Sequence, residues 1–249
     1  MTMSQTAQTM VNAALRPLRV QVIRSRSTDP AVANFRTARK TIRAATAAGL
    51  SVRDYIDLNF AEPGATRATV EAMLDLAKLE SPVERVCEIG PGTGRFLELV
   101  VEALQPKVYE VYETATDWLP HLRGYPGVVE RPCDGRTLAS TASGSVDLVH
   151  AQKVFVYLEF WTVAGYLDEM ARVVRPGGVV AFDIVTEKCI TEEVLEGWKT
   201  SGTPFKPVPR EWTIAYMADR GLVYVGNHIA RLPEGECELL VFRRSDSPS

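Results

Sequence analysis

The chain has 249 residues, enough for one large α/β domain or a domain with a cap, and its 46% hydrophobic and 24% charged residues are ordinary for a soluble globular protein. No stretch approaches the ~18 uninterrupted apolar residues of a membrane span, and a net charge of −3 argues against general nucleic-acid binding. The charge is uneven: residues 1–53 hold eight arginines and Lys40 against the single acid Asp29, so the remainder is acidic.

Such an Arg-rich, acid-poor start is also the composition of a mitochondrial transit peptide. It has no apolar secretory core, so a cytoplasmic protein is the default expectation. The first ten or so residues are expected to be disordered. From Ala33 to Ala47 the pattern is helical, with Phe35, Ile42 and Ala45 on one face and Arg36, Arg39, Lys40 and Arg43 as a basic stripe on another. That stripe is either a solvated face or a patch for an anionic substrate. Pro63-Gly64 makes a turn, and Val70, Met73, Leu74 and Ala77 then recur at helical core spacing.

Beyond Arg85, short apolar runs alternate with helical segments. Strands are expected at 85–89, 107–112, 128–131, 146–151, 179–185, 222–228 and 237–242. Thr162 is placed to cap a helix with Val163, Tyr166, Leu167, Met170 and Val174 inward, stopped by Pro176-Gly177-Gly178. Pro209 suits the first turn of another, ended by Gly221. This alternation predicts a mostly parallel sheet covered on both faces. About eight residues around Pro233-Glu234-Gly235 join the last two strands, too few for a parallel crossover, so the final strand must run antiparallel to its neighbour. The four cysteines lack metal-knuckle spacing and read as buried reduced thiols, and the three histidines are too scattered for a zinc site.

The strongest signal is Val86-Cys87-Glu88-Ile89-Gly90-Pro91-Gly92-Thr93-Gly94-Arg95-Phe96, a strand, a glycine turn and a helix start. Glycines let a ligand lie against the main chain, and the helix start offers free N–H groups to an anion. The spacing is not the Gly-x-Gly-x-x-Gly of dinucleotide binders, and no Lys-Ser/Thr follows as in a P-loop. Glu88, two residues before the first glycine, would repel a pyrophosphate but suits a ligand with an ammonium group. Glu113 lies 113 − 94 = 19 residues past the last glycine, where an acid binds ribose hydroxyls. Its rival, Glu110, lies mid-strand. Asp134-Gly135 follows the third strand and reads as an adenine contact, or as a cap on the next turn.

These residues together resemble the class I S-adenosylmethionine-dependent methyltransferases. Glu88, Gly90, Gly92 and Gly94 match the family's first motif, Glu113 its second-strand acid and Asp134-Gly135 its Asp-Ala/Gly pair. Residues 145–151 and 172–178 resemble its fourth strand and the turn before its fifth. Tyr112 departs from the acid usual just before Glu113. The resemblance covers residues 82–249 and implies a doubly wound seven-stranded α/β sheet of order 3-2-1-4-5-7-6 with strand 7 antiparallel. Residues 1–81 look like the variable N-terminal helical cap of the family. S-adenosyl-L-methionine is the implied cofactor, with the backbone of Ala151 and Gln152 along its methionine end. His150 is the candidate catalytic base, and Lys153 a candidate for binding an anionic acceptor. Tyr157, Tyr55, Asn59, Phe60 and the loop around Lys199–Pro209 are expected near the pocket.

The segment Ala151-Gln152-Lys153-Val154 lacks the Asn-Pro-Pro-Tyr type motif used on flipped-out or planar amines. The expectation is therefore a small-molecule acceptor, anionic or hydroxylated and methylated on oxygen, with no metal, nucleic-acid or membrane partner, and with homodimerisation left open. N-methylation, aminopropyl transfer, nicotinamide-dependent oxidation and non-catalytic cofactor binding are the alternatives. Gln152 and Lys153 speak against aminopropyl transfer, which uses acids there to hold a polyamine.

Overall fold

Period-two alternation along the strands decides which side chains meet in this protein, because neighbouring residues of a strand point to opposite faces of the sheet. The computed structural model describes residues 36–232 and 235–246. The expected disorder of the first residues and Phe35 of the first helical face lie outside them. Seven strands form one sheet: β1 (Arg85–Ile89), β2 (Val108–Tyr112), β3 (Val128–Glu130), β4 (Val146–Ala151), β5 (Val174–Ile184), β6 (Leu222–Leu232) and β7 (Gly235–Arg244). Their order is β3-β2-β1-β4-β5-β7-β6. The first five pair in parallel, and β7 runs antiparallel to both β5 and β6.

Helices cover both faces, as apolar parallel strands require. On one side lie α1 (Ala38–Ala47), α3 (Ala65–Ala77) and α4 (Arg95–Leu104), packed through Ala38, Met73 and Val100 on Val86, Leu148 and Val241. On the other lie α6 (Phe160–Val173) and α8 (Arg210–Ala218), whose Leu167 and Met217 meet Cys87, Val149 and Phe242. The short α5 (Leu119–Leu122) and α7 (Glu192–Ser201) complete the set together with α2 (Val52–Phe60). All the described residues belong to one compact unit.

Several boundaries differ from the sequence reading. The first described helix starts at Ala38, whose free N–H is capped from a distance by the Asp117 carboxylate at 2.8 Å, while Ala33 of the expected helical span lies outside the described residues. Helix α2, capped by Ser51 accepting from the Asp54 amide at 3.0 Å, was not among the expected elements. Helix α6 starts at Phe160, so Thr162 lies inside its first turn and does not cap it; its amide donates to the Glu159 carbonyl at 2.8 Å. Pro176-Gly177-Gly178 does not end that helix either. It lies within β5, where Val146 pairs with Val174 but Leu148 pairs with Val179, so the intervening residues bulge from the ladder. Arg39, Lys40 and Arg43 are exposed, a solvated face, whereas Arg36 leaves the stripe and lays its guanidinium on the Phe60 ring at 3.3 Å. Among the described residues no helix is long and apolar enough to cross a membrane, no cluster of three or more His, Cys, Asp or Glu could hold a metal, and the four cysteines are free.

Candidate active site

The glycine turn follows from left-handed glycines at three alternate positions. Gly90, Gly92 and Gly94 have φ of +63°, +52° and +76°, a region costly for any residue with a Cβ. A Cβ on Gly90 would lie 2.6 Å from Val154 Cγ2, and one on Gly94 2.9 Å from Leu122 Cδ2, so both are also required by packing. A Cβ on Gly92 would meet nothing closer than the Gly90 carbonyl oxygen at 4.0 Å, so the space over this middle glycine is open. The turn thus presents bare main chain at the carboxyl end of β1, beside the start of α4.

Strand register gathers four polar side chains beneath this turn. Glu88 lies directly opposite His150 in the β1–β4 pair, and the β1–β2 pairing puts Tyr109 on the same face. Its hydroxyl lies 2.7 Å from Glu88 Oε2 and 2.8 Å from His150 Nε2. His150 Nδ1 is 2.5 Å from Gln152 Oε1, whose amide nitrogen donates to Met73 Sδ of α3 at 3.3 Å. Glu88, Tyr109 and His150 are buried. Burial, with the Glu88–Glu113 repulsion added, pushes the Glu88 carboxyl up to about 8, against the pull of the Tyr109 hydroxyl. Burial likewise drives His150 down to about 4, so its ring is neutral near pH 7.

A neutral ring and a single tyrosine proton let the chain run in either direction. With Glu88 protonated, protons point one way along the chain: Glu88 O–H to Tyr109, Tyr109 O–H to His150 Nε2, and Nδ1–H to the Gln152 carbonyl. With Glu88 ionised, the direction reverses: Tyr109 donates to the carboxylate, Nε2–H donates to Tyr109, and Gln152 must turn its amide toward Nδ1. His150, the expected base, is thus enclosed in this chain of side chains. Its ring has no exposed surface and both nitrogens are engaged within the fold.

The second acid is held by main chain. Glu113 accepts from the Gly92 amide and from the Ala115 amide, each at 2.6 Å, fastening the glycine turn to the end of β2. Each carboxylate oxygen keeps a second lone pair. Burial raises its pKa despite those amides. Its rival Glu110 faces the opposite side of the sheet, bound by Arg85, Arg131 at 2.6 Å and Thr141. Asp134 is exposed and caps its own turn, accepting from the Arg136 and Thr137 amides at 2.8 and 2.7 Å, while Gly135 beside it has φ +73°. Ala151 and Gln152 are buried at the end of β4.

Beside the turn lies a cluster that the sequence reading only partly named. Lys153, at φ +59°, donates its amide to Asp183 Oδ1 at 2.7 Å, and its ammonium lies 2.7 Å from Cys237 Sγ and 3.4 Å from Asp183 Oδ2. Arg95, the first residue of α4, reaches Asp57 of α2 at 3.2 Å. Neither Arg95 nor Asp183 carried a sequence signal, since each gains meaning only from a residue distant in the chain. Tyr55 and Asn59 lie on α2 with Phe60, and Lys199 lies on α7. A hollow of about 400 Å³ lined by Lys78, Asp147, Arg175 and Arg243 lies away from the glycine turn, at the amino ends of the strands, opposite the end where α/β sheets bind ligands.

A family model described as a methyltransferase domain matches residues 62–229. The chain is similar in structure to the N-methyltransferase NodS from Bradyrhizobium japonicum WM9 in complex with S-adenosyl-L-homocysteine (19% identity over 77% of this chain and 92% of that one, TM-score 0.55). It is also similar to geranyl diphosphate C-methyltransferase from Streptomyces coelicolor A3(2), in complex with Mg2+, geranyl diphosphate and S-adenosyl-L-homocysteine (14% identity, 72% and 77% covered, TM-score 0.54). An O-methyltransferase family protein from Burkholderia thailandensis gives 16% identity, 79% and 60% coverage and a TM-score of 0.52. At these identities the likeness is one of fold. Among curated protein sequences none matches.

Proposed function

This chain belongs to the class I S-adenosylmethionine-dependent methyltransferases, and from that premise we propose that it methylates a small acidic or hydroxylated metabolite on oxygen. The observation that carries the placement of the cofactor is the Glu88 carboxyl: buried beside the glycine turn, bonded to the Tyr109 hydroxyl and, among the described residues, paired with no cation. A buried acid without a counter-charge is costly when ionised, and a ligand ammonium would relieve that cost. In this reading Glu88 takes the amino-acid end of the cofactor, Gly90, Gly92 and Gly94 pass it along the main chain, and Glu113 accepts from the ribose hydroxyls. Asp134-Gly135 meets the adenine, with Asp134 using lone pairs left free by its cap, and the backbone of Ala151 and Gln152 lines the methionine end. When bound, S-adenosylmethionine supplies a methyl group activated by the sulfonium.

The protein then supplies alignment and a dry pocket. An acceptor that arrives deprotonated, such as a carboxylate, needs no base, which fits a β4 histidine engaged at both nitrogens. We assign the helices within residues 1–81 as a cap. Met73 touching Gln152, and Asp57 holding Arg95, support that assignment. The test is transfer of a labelled methyl group from S-adenosylmethionine to panels of carboxylic acids, phenols and amines. Label appearing as an ester or ether is the expected result; label on amines alone would overturn the choice of oxygen.

A further inference from the structure

A charged cluster where the carboxyl ends of β4 and β5 meet α2 and the start of α4 has more hydrogen-bond donors than the fold uses. Arg95 is nearly enclosed, its side chain 16% exposed, and makes one hydrogen bond among the described residues, at 3.2 Å, although a guanidinium carries five N–H groups. It also sits at the first position of α4, where the helix dipole disfavours a cation. Its partner Asp57 is committed elsewhere, accepting from Thr66 Oγ1 at 2.5 Å and more weakly from the Thr66 amide at 3.4 Å. The Tyr157 hydroxyl, held by its ring against Phe205 at 5.5 Å, has no hydrogen-bond partner among the described residues. It lies within the electrostatic range of Arg95, Arg36 and Asp183, and burial pushes it up to about 12, so it remains a donor. Asp183 is engaged by the amide and ammonium of Lys153. Two cations, Arg95 and Lys153, thus face two carboxylates, Asp57 and Asp183, while Arg36 adds positive field at the Tyr157 hydroxyl.

We propose that Arg95 and Tyr157 form an anion subsite that holds the carboxylate of the methyl acceptor, making the substrate a small carboxylic acid. This rests on the methyltransferase reading and names the substrate class for that site. The planar guanidinium matches a carboxylate, and the phenol adds a second donor from the 3-10 turn after β4. The favourable charge of an incoming anion offsets the cost of enclosing Arg95 at a helix start. Lys153, already paired with Asp183, contributes field rather than contact.

The cofactor's own carboxylate has the same chemistry, so the test separates the two. Benzoate and its neutral counterpart benzamide are titrated calorimetrically into the protein saturated with S-adenosylhomocysteine. Benzoate should bind about tenfold or more tightly than benzamide, the scale of a charged hydrogen bond. Arg95→Gln and the milder Tyr157→Phe, which removes only a free hydroxyl, should each erase most of that preference while leaving S-adenosylhomocysteine affinity unchanged. Equal binding of benzoate and benzamide would overturn the subsite. So would an Arg95→Gln variant that loses affinity for S-adenosylhomocysteine but not for benzoate, because the guanidinium would then belong to the cofactor's carboxylate. Failure of S-adenosylhomocysteine to bind the wild-type protein would instead strike the cofactor reading itself.

Discussion

Tyr109 is the residue on which the buried chain turns, since one hydroxyl serves both the Glu88 carboxyl and the His150 ring. Tyr109→Phe leaves two buried polar groups short of a partner, at a cost of about 1–3 kcal/mol, to be read from urea denaturation. Gly90→Ala should cost a similar ~1–3 kcal/mol, since the added Cβ meets Val154 at 2.6 Å in a left-handed conformation. At this scale the sequence was informative where the pattern is local. Glu88, the three glycines and Glu113 stand at short, fixed spacings, and the structure brings them to one turn. The partners of His150 were not legible, because Tyr109 reaches it through cross-strand register 41 residues away. A histidine at the end of an apolar strand reads the same whether it faces a pocket or a neighbouring tyrosine.

Helix boundaries show the same division at the scale of elements. The reversed last strand was legible, because a short connection forbids a parallel crossover whatever the side chains are. The start of α1 was not, because its cap is Asp117, 79 residues downstream. Asp117→Ala should destabilise the protein by about 0.5–2 kcal/mol, and hydrogen exchange over Ala38–Ala47 should speed up before that of the sheet. Protection of α1 equal to the wild type would show that the Asp117 contact carries no weight. The bulge in β5 was equally hidden: Pro-Gly-Gly ends helices often enough that only the paired register, Val174 to Val146 and then Val179 to Leu148, reveals it as part of a strand.

For the whole molecule, the buried acid and the buried histidine bound the pH range of stability from opposite sides. Glu88 keeps its proton to about pH 8 in the folded chain against an ordinary value of 4.5, so the folded state binds that proton more tightly in this window. Its contribution is full below pH 4.5 and is lost as pH rises to about 8. His150 titrates near 4 in the fold against 6.5 ordinarily, so its contribution is present above pH 6.5 and lost as pH falls toward 4. Urea midpoints of the ligand-free protein should therefore decline on both sides, and Glu88→Gln should flatten the alkaline decline. A bound ammonium would favour the ionised acid and reverse the proton chain, so S-adenosylhomocysteine should stabilise the protein more as pH approaches 8.

Calorimetry of S-adenosylhomocysteine binding near neutral pH, repeated in buffers of different ionisation heat, tests this linkage most directly. The wild-type protein should bind and release up to about one proton per site, fading above pH 8, the value to which Glu88 is raised. Glu88→Gln should lose both the proton and about tenfold or more in affinity. Absence of binding heat, or a Glu88→Gln variant with unchanged affinity and proton count, would contradict a cofactor ammonium seated on this carboxyl.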